Sequence, residues 1–290
     1  MRDILKGVLD LHIHAGPSIA KRELDAADML RDATAAGYRA ILIKDHYFPT
    51  IMGCKMVQDH LGDGTVEVLG GIALNNSIGV FNLKAVDTAN NMGIKMVYFP
   101  TVSSKNHIDS HKGTFVGSGN STVDEIPVVY VDEKGVMDAD AVEVLEYMAK
   151  NDMVLGTGHG TAWEIDHLIK KALELGVKRI LVNHPHFHIG ATYEQMRQWA
   201  DLGAYIELNV CVFSDVSKLG PLSWDVVDEI LKAVPLNRII LDSDLGQAGN
   251  ISPVEGLYQI ICLLMERNGL TVEDINMISK TNPAKLIGLE

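Results

Sequence analysis

Long apolar runs are missing from this 290-residue chain. None reaches the roughly 18 residues that a helix needs to cross a bilayer, so no helical membrane span is expected. Positive charge is scarce as well: 25 lysines and arginines face 38 aspartates and glutamates, a formal net charge of −13, and no basic run interrupts the acidic background. A phosphate backbone or an anionic lipid surface would be repelled, so neither nucleic acid nor membrane is expected as a partner. Cysteine is sparse: Cys54, Cys211 and Cys262 are odd in number and far apart, which excludes a disulfide framework and a CxxC zinc knuckle and leaves each as a small core hydrophobe. The opening MRDILKGVLD has neither the apolar stretch nor the small-residue cleavage site of a signal peptide, so the expected compartment is the cytoplasm. No linker divides the chain, and one domain over 1–290 is expected.

What is present is a globular composition, 47% hydrophobic and 22% charged, arranged in a repeated pattern. A helical segment ends on glycine and is followed by a β-rich apolar run in AAGYRAILIKDH (35–46), NMGIKMVYFPT (91–101), ELGVKRILVNHP (174–185) and DLGAYIELNV (201–210). Gly37, Gly93, Gly176 and Gly203 stand where a helix C-terminus takes a left-handed residue. Strands are expected over 8–14, 40–46, 67–74, 95–101, 153–159, 179–184, 204–209 and 238–244, most of them about 30 residues apart, the size of one βα unit. The helices between them carry apolar stripes, as in Ala26, Met29, Leu30 and Ala33, or Val226, Val227, Ile230 and Leu231. Eight mostly apolar strands alternating with helices predict an α/β fold, a closed (β/α)8 TIM barrel. One interval breaks the rhythm. Residues 102–138 are rich in Gly, Ser, His and Asn and end in an expected hairpin, IPVVYVDEKGVM. Such an excursion after strand four would stand over the C-terminal mouth as a lid or capping insertion, or else serve as a subunit contact.

The first strand, in VLDLHIHAG, poses the functional question. Period two puts Asp10, His12 and His14 on one face and Leu9, Leu11 and Ile13 on the other. That face is either a hydrogen-bonded polar pocket or half of a metal site. The rest of the chain favours the metal. His12 and His14 end strand one, Lys44 and His46 end strand two, His159 ends strand five, His184 ends strand six in VNHP, and Asp242 and Asp244 end strand eight in LDSDLG. All lie at strand C-termini, where barrels build active sites. His12, His14, His159, His184 and Asp244 together converge on the barrel axis as the imidazole and carboxylate set of a divalent ion such as zinc. GTGHGT (156–161) lacks Walker spacing and is expected to be a tight turn around His159.

The order HxH after strand one, His after strands five and six, and Asp after strand eight resembles the amidohydrolase superfamily of metal-dependent hydrolases. DLHIHAGPS, IKDHYFPT, the TGH and NHP segments, SDLGQ, PVEG and NPAKLIGL together look like an uncharacterised branch of it. The resemblance implies that His12 and His14 bind metal and that His159 binds it or shares a second ion. His184 would bind a second ion or hydrogen-bond the attacking water and the substrate oxygen. Asp244 would be the carboxylate ligand, acting as general base and then as acid, with Asp242 behind it. Strand four ends in YFPT without the bridging Lys or Glu of binuclear members, which favours one zinc-type ion over two.

Lys44 is expected inside the barrel with its pKa lowered by desolvation, as a carbamate bridge, a clamp on a substrate carboxylate, or the ion-pair partner of a core Asp such as Asp10. His46, His107 and His186, with His111 and His188, lie on mouth loops as candidate substrate contacts. The expected activity is hydrolysis of an amide, imine, ester or lactone in a small polar molecule by metal-activated water. The same ion could serve a lyase, and a non-catalytic metal-binding barrel is opposed by the presence of Asp244. The helix 261–270 is expected either to pack on the barrel or to offer a face for homo-oligomerisation.

Overall fold

A computed structural model of the chain describes residues 2–111, 119 and 121–289. Eight strands, β1 (Leu9–Ile13), β2 (Ala40–Ile43), β3 (Glu67–Ala73), β4 (Met96–Tyr98), β5 (Val154–Gly156), β6 (Arg179–Val182), β7 (Tyr205–Asn209) and β8 (Ile239–Asp242), form one sheet in chain order, each parallel to the next. The helices α1 (Ala26–Ala36), α2 (Ile51–Leu61) and α3 (Leu83–Asn91) follow the first three strands. After β4 come α4 (Lys105–Ser110) and α5 (Ala139–Lys150). The strands β5 to β8 are followed by α6 (Ala162–Leu175), α7 (Tyr193–Asp201), α8 (Asp225–Ala233) and α9 (Pro253–Asn268), and the short α10 (Val272–Asn276) and α11 (Asn282–Ile287) end the chain. This is the (β/α)8 barrel that the repeated pattern predicts.

Local chemistry sets the helix ends. Asp25, Thr161 and Thr192 cap α1, α6 and α7 in reciprocal boxes with Asp28, Glu164 and Gln195, each contributing about 1 kcal/mol. Gly37, Gly93, Gly176 and Gly203 all take positive φ just past a helix. The stripe Ala26, Met29, Leu30 and Ala33 is the buried face of α1, and Ile261 and Leu264 of α9 are buried against the barrel. No helix among the described residues is long and apolar enough to cross a membrane.

The barrel closes at a seam. β8 meets β1 through the Asp244 N–H donating to the His12 carbonyl (2.7 Å), the His14 N–H donating to the Leu245 carbonyl (2.8 Å), and the parallel bridge Ile13–Leu245. Gly246 sits beside it at φ +120, where a Cβ would run into the His14 carbonyl oxygen, so only glycine fits.

Three expectations need correction. First, the strands are shorter than the apolar runs, so His14, Lys44, His46, His159, His184 and Asp244 lie just beyond the strand ends. His184 (φ 24) and Asp244 (φ 49) have left the extended region altogether, which ends the ladder there. Second, period two does not hold through β1. Its register against β2 slips by one residue between Asp10 and Ile13, a bulge that turns consecutive residues inward. Leu9 and Leu11 pack inside the barrel with Ala40, Leu42, Met96, Tyr98, Val154, Leu181 and Ile240, and His12 also faces inward. Ile13 joins the outer core between strands and helices. Asp10 does not share the histidines' face; its Oδ1 accepts the N–H groups of Ser243 (3.0 Å) and His12 (3.3 Å), pinning the seam.

Third, the excursion over 102–138 contains the helix α4, and the expected hairpin shrinks to the single bridge Val131–Met137 around a turn held by Asp132. Ile126, Val129 and Val136 stay exposed, so a longer hairpin would have no face to bury. Tyr130 instead anchors the segment, buried against the rings of Phe99 and Phe81. The middle of the expected lid, 112–118 and 120, lies outside the described residues.

Candidate metal centre

The seam that closes the barrel also brings the first candidate ligands together. His12 comes from the inward-turned end of β1, His14 from two residues later, and Asp244 from the left-handed turn after β8. Asp244 Oδ1 lies 3.1 Å from His12 Nε2 and 3.0 Å from His14 Nε2, and one donor atom from each of the three falls within 4.8 Å of the others. Ligand atoms about 2.0–2.1 Å from a tetrahedral ion are about 3.3 Å apart, close to this spacing. The other side of the His12 ring is fixed: Nδ1–H donates to Glu207 Oε1 at 2.9 Å. Glu207 is held in turn by Asn183 Nδ2 (3.1 Å) and the His184 N–H (2.7 Å). A carboxylate behind a ligating imidazole sets its tautomer and raises its basicity. Asp244 is steadied by Asn209 Nδ2 on Oδ2 (3.2 Å) and by Gln247 Nε2 on its carbonyl (2.6 Å).

His12 Nε2 has more neighbours than it can satisfy. It carries one proton or one lone pair, yet it faces both the acceptor Asp244 and Lys44 Nζ at 2.9 Å. Lys44 reaches His12 and the face of Tyr98 (4.6 Å to the centroid); no ion pair joins it to Asp10 among the described residues. The buried carboxylates Asp10, Asp45, Glu164, Glu207, Asp242 and Asp244 outnumber the buried Lys44 and the buried side chain of Arg22. Burial raises Asp10 to about 6, and burial together with Glu207 and Asp10 holds Asp242 well above the carboxylate range. On His12 burial opposes charge, yet Asp244 and Glu207 carry it up to about 9. Burial alone would raise Asp244, but His12 and His14 keep it well below its ordinary value. Burial and then Arg22 bring His14 down to about 3, and burial lowers Lys44. A donor set of two imidazoles and a carboxylate, together with an oversubscribed nitrogen, fits a divalent cation.

The centre lies at the floor of a cavity of about 290 Å³ at the C-terminal mouth, lined by histidines, Arg22, Lys44 and Asp244. The pattern of a family of unknown function, DUF6282, matches residues 7–207 of the chain. The chain belongs to that family. The match ends at Glu207 in β7, before Asp244. No curated protein matches. Among solved structures this DUF6282 chain resembles an amidohydrolase from Pseudomonas aeruginosa (TM-score 0.69, 12% identity, 99% of this chain and 97% of the other). It also resembles the probable dipeptidase PvdM from the same organism (0.66, 12%, 99% and 96%) and a 2,6-dihydroxybenzoate decarboxylase from Rhizobium (0.55, 12%, 98% and 99%). At such identities the likeness is one of fold, the (β/α)8 barrel.

The DUF6282 barrel distributes the remaining candidates unevenly. His159 and His184 line the cavity but stand outside the group of His12, His14 and Asp244. His159 shares a hydrogen bond with His107 (Nδ1 to Nδ1, 2.9 Å), while His184 stacks 5.8 Å from His12 and 4.8 Å from His159. GTGHGT is indeed a tight turn: Gly158 has φ +68, and the His159 N–H donates to the Pro100 carbonyl at 2.9 Å. His46 lies 4.9 Å from the His14 ring and bonds Thr101 at 3.0 Å. His186 is stacked on Phe213 at 5.5 Å and does not line the cavity. Sequence reasoning missed Arg22. Its side chain is only 3% exposed, it lines the cavity, and it reaches Asp45 at 3.4 Å while Nε and Nη1 find no partner among the described residues. It sits in an aperiodic loop, and an isolated bridge to Gln247 carries it inward.

Proposed function

We propose that this protein is a metal-dependent hydrolase that cleaves an amide, imine, ester or lactone bond in a small molecule bearing a carboxylate or similar anion. The observation that carries the reading is the convergence of His12, His14 and Asp244 on one point at the cavity floor, with Glu207 locking the far side of His12. His12 Nε2, His14 Nε2 and Asp244 Oδ1 would hold a single zinc-type ion, the smaller nuclearity because β4 ends in Tyr98 and offers no bridging carboxylate. When bound, such an ion supplies an acidified water and polarises a carbonyl oxygen. Asp244 would serve as general base toward the attacking water and then as the acid that protonates the leaving group. The unpartnered nitrogens of His159 (Nε2) and His184 (Nδ1) face the substrate as orienting groups. Lys44 and the free N–H groups of Arg22 receive the substrate's anion; a guanidinium so buried gains most from a carboxylate. Within the excursion, His107 of α4 and His111 line the cavity wall.

A lyase is the second reading, favoured by the likeness to a decarboxylase and by the same cation-lined cavity. Metal content by elemental analysis, followed by turnover of ester, lactone, amide and carboxylic-acid panels, tests both. Asp244→Asn is expected to lose about one equivalent of metal and all turnover. Wild-type protein that holds no metal at this centre and gains no turnover on metal addition would overturn the proposal, and release of carbon dioxide without hydrolysis would select the lyase.

A further inference from the structure

Three histidines that the proposed chemistry does not use as ligands form a second cluster above the first. His107 lies in α4, and His111 caps that helix one turn later; their rings stack 4.3 Å apart at 23°. His188 enters from the loop after β6, its ring 5.2 Å from that of His107 and 4.5 Å from that of His111. One nitrogen from each of the three falls within 4.8 Å of the others, and all three line the cavity.

Two of the three have their Nδ1 engaged in the way that ligating histidines require. His111 Nδ1 donates to the His107 carbonyl at 3.0 Å. His107 Nδ1 is tied to His159 at 2.9 Å. Such partners behind a ligand fix its tautomer and ring orientation. The two loops are also stapled together: Asn106 Nδ2 donates to the carbonyls of His159 (3.0 Å) and His188 (3.0 Å). Three imidazoles pressed together gain little from one another, since a proton on any one repels a proton on the next.

We propose that His107, His111 and His188 form a second metal site at the barrel mouth, for zinc or a similar borderline divalent transition ion, separate from the centre of His12, His14 and Asp244. Imidazole nitrogen suits such ions, and three neutral donors leave the ion its full positive charge and a coordination position open to the cavity. That position binds an anionic oxygen of a substrate or product. The site stands whether or not the hydrolase reading does, because its ligands are not shared with the floor.

The test is stoichiometric. Metal-stripped protein is loaded with Zn²⁺, desalted and assayed for bound metal, and a parallel Co²⁺ titration is followed by visible absorption. Wild type is expected to retain about two equivalents, His111→Ala/His188→Ala about one, and Asp244→Asn about one. Retention of the wild-type equivalents by folded His111→Ala/His188→Ala, checked by circular dichroism, would overturn the site. A single equivalent that survives Asp244→Asn and is lost in the mouth variant would uphold the mouth site while removing the floor ion from the hydrolase proposal. As a measurement free of variants, Zn²⁺ is expected to protect His111 and His188 from diethyl pyrocarbonate in wild-type protein, read by peptide mass spectrometry. Unchanged labelling would overturn the proposal.

Discussion

In the lower half of the barrel, Leu9, Leu42, Met96, Leu181 and Ile240 pack against one another and against Leu286 and Ile287 of α11. In the upper half, His12, Lys44, Glu207, Asp242 and Asn209 from the same strands or their ends are just as thoroughly buried. Burial therefore does not separate core from site. The upper half differs in its unmatched polar atoms: Nδ1 of His14, Nδ1 of His184, Nε2 of His159 and two N–H groups of Arg22 have no partner among the described residues. A hydrocarbon core holds no such groups, and each costs about 1–3 kcal/mol when left unsatisfied. The lower half is built for stability, and the upper half keeps polar atoms at the expense of some of it.

The sharpest way to break this contrast is to alter one half and look for effects in the other. Ile240→Ala, in the lower half, is expected to cost about 2–5 kcal/mol in denaturant unfolding while metal bound per folded molecule stays unchanged. Loss of metal in that variant would mean that the halves are not separable. Glu207→Gln, in the upper half, removes the carboxylate behind His12 and is expected to weaken metal binding by about 10–100-fold, read by competition with a chelator. An unchanged affinity would show that Glu207 serves the fold alone.

The smallest effect concerns a group outside both halves. Burial pushes the Cys54 thiol up to about 12, against about 8.5 in an unfolded chain. The folded pKa is raised, so the contribution is complete below pH of about 8.5 and is lost as pH rises toward about 12. Cys54→Ala should therefore remove on the order of 1 kcal/mol of the stability that wild type loses between neutral pH and pH 10, measured by urea unfolding at each pH. Equal pH dependence in both proteins would show that the thiol ionises freely when folded.

Much of this was legible in the chain. Apolar runs of strand length mark the eight βα units, four of them behind left-handed glycines, because backbone conformation and burial are both local there. The sorting of His12, His14, His159, His184 and Asp244 to strand ends marks the mouth, because a barrel leaves only that end for convergent polar groups. The phase of β1 was not legible, since the bulge that turns Leu11 and His12 inward together is set by pairing with β2 and not by β1 itself. Arg22 escaped for a related reason: its burial depends on the turn around Gln247, more than two hundred residues away in sequence. The hold of Glu207 on His12 joins β7 to β1 and needed the closed barrel to be seen.

The seam between β1 and β8 has a bearing on how the protein is made. Its hydrogen bonds join His12 and His14 to Asp244 and Leu245, so β1 must wait for the segment that follows β8. Contacts of such sequence separation form late and slowly in folding. A partly folded chain has no complete set of His12, His14 and Asp244 until the ring shuts. The site is thus a record of barrel closure, and a chain whose ring is still open carries these histidines without their carboxylate.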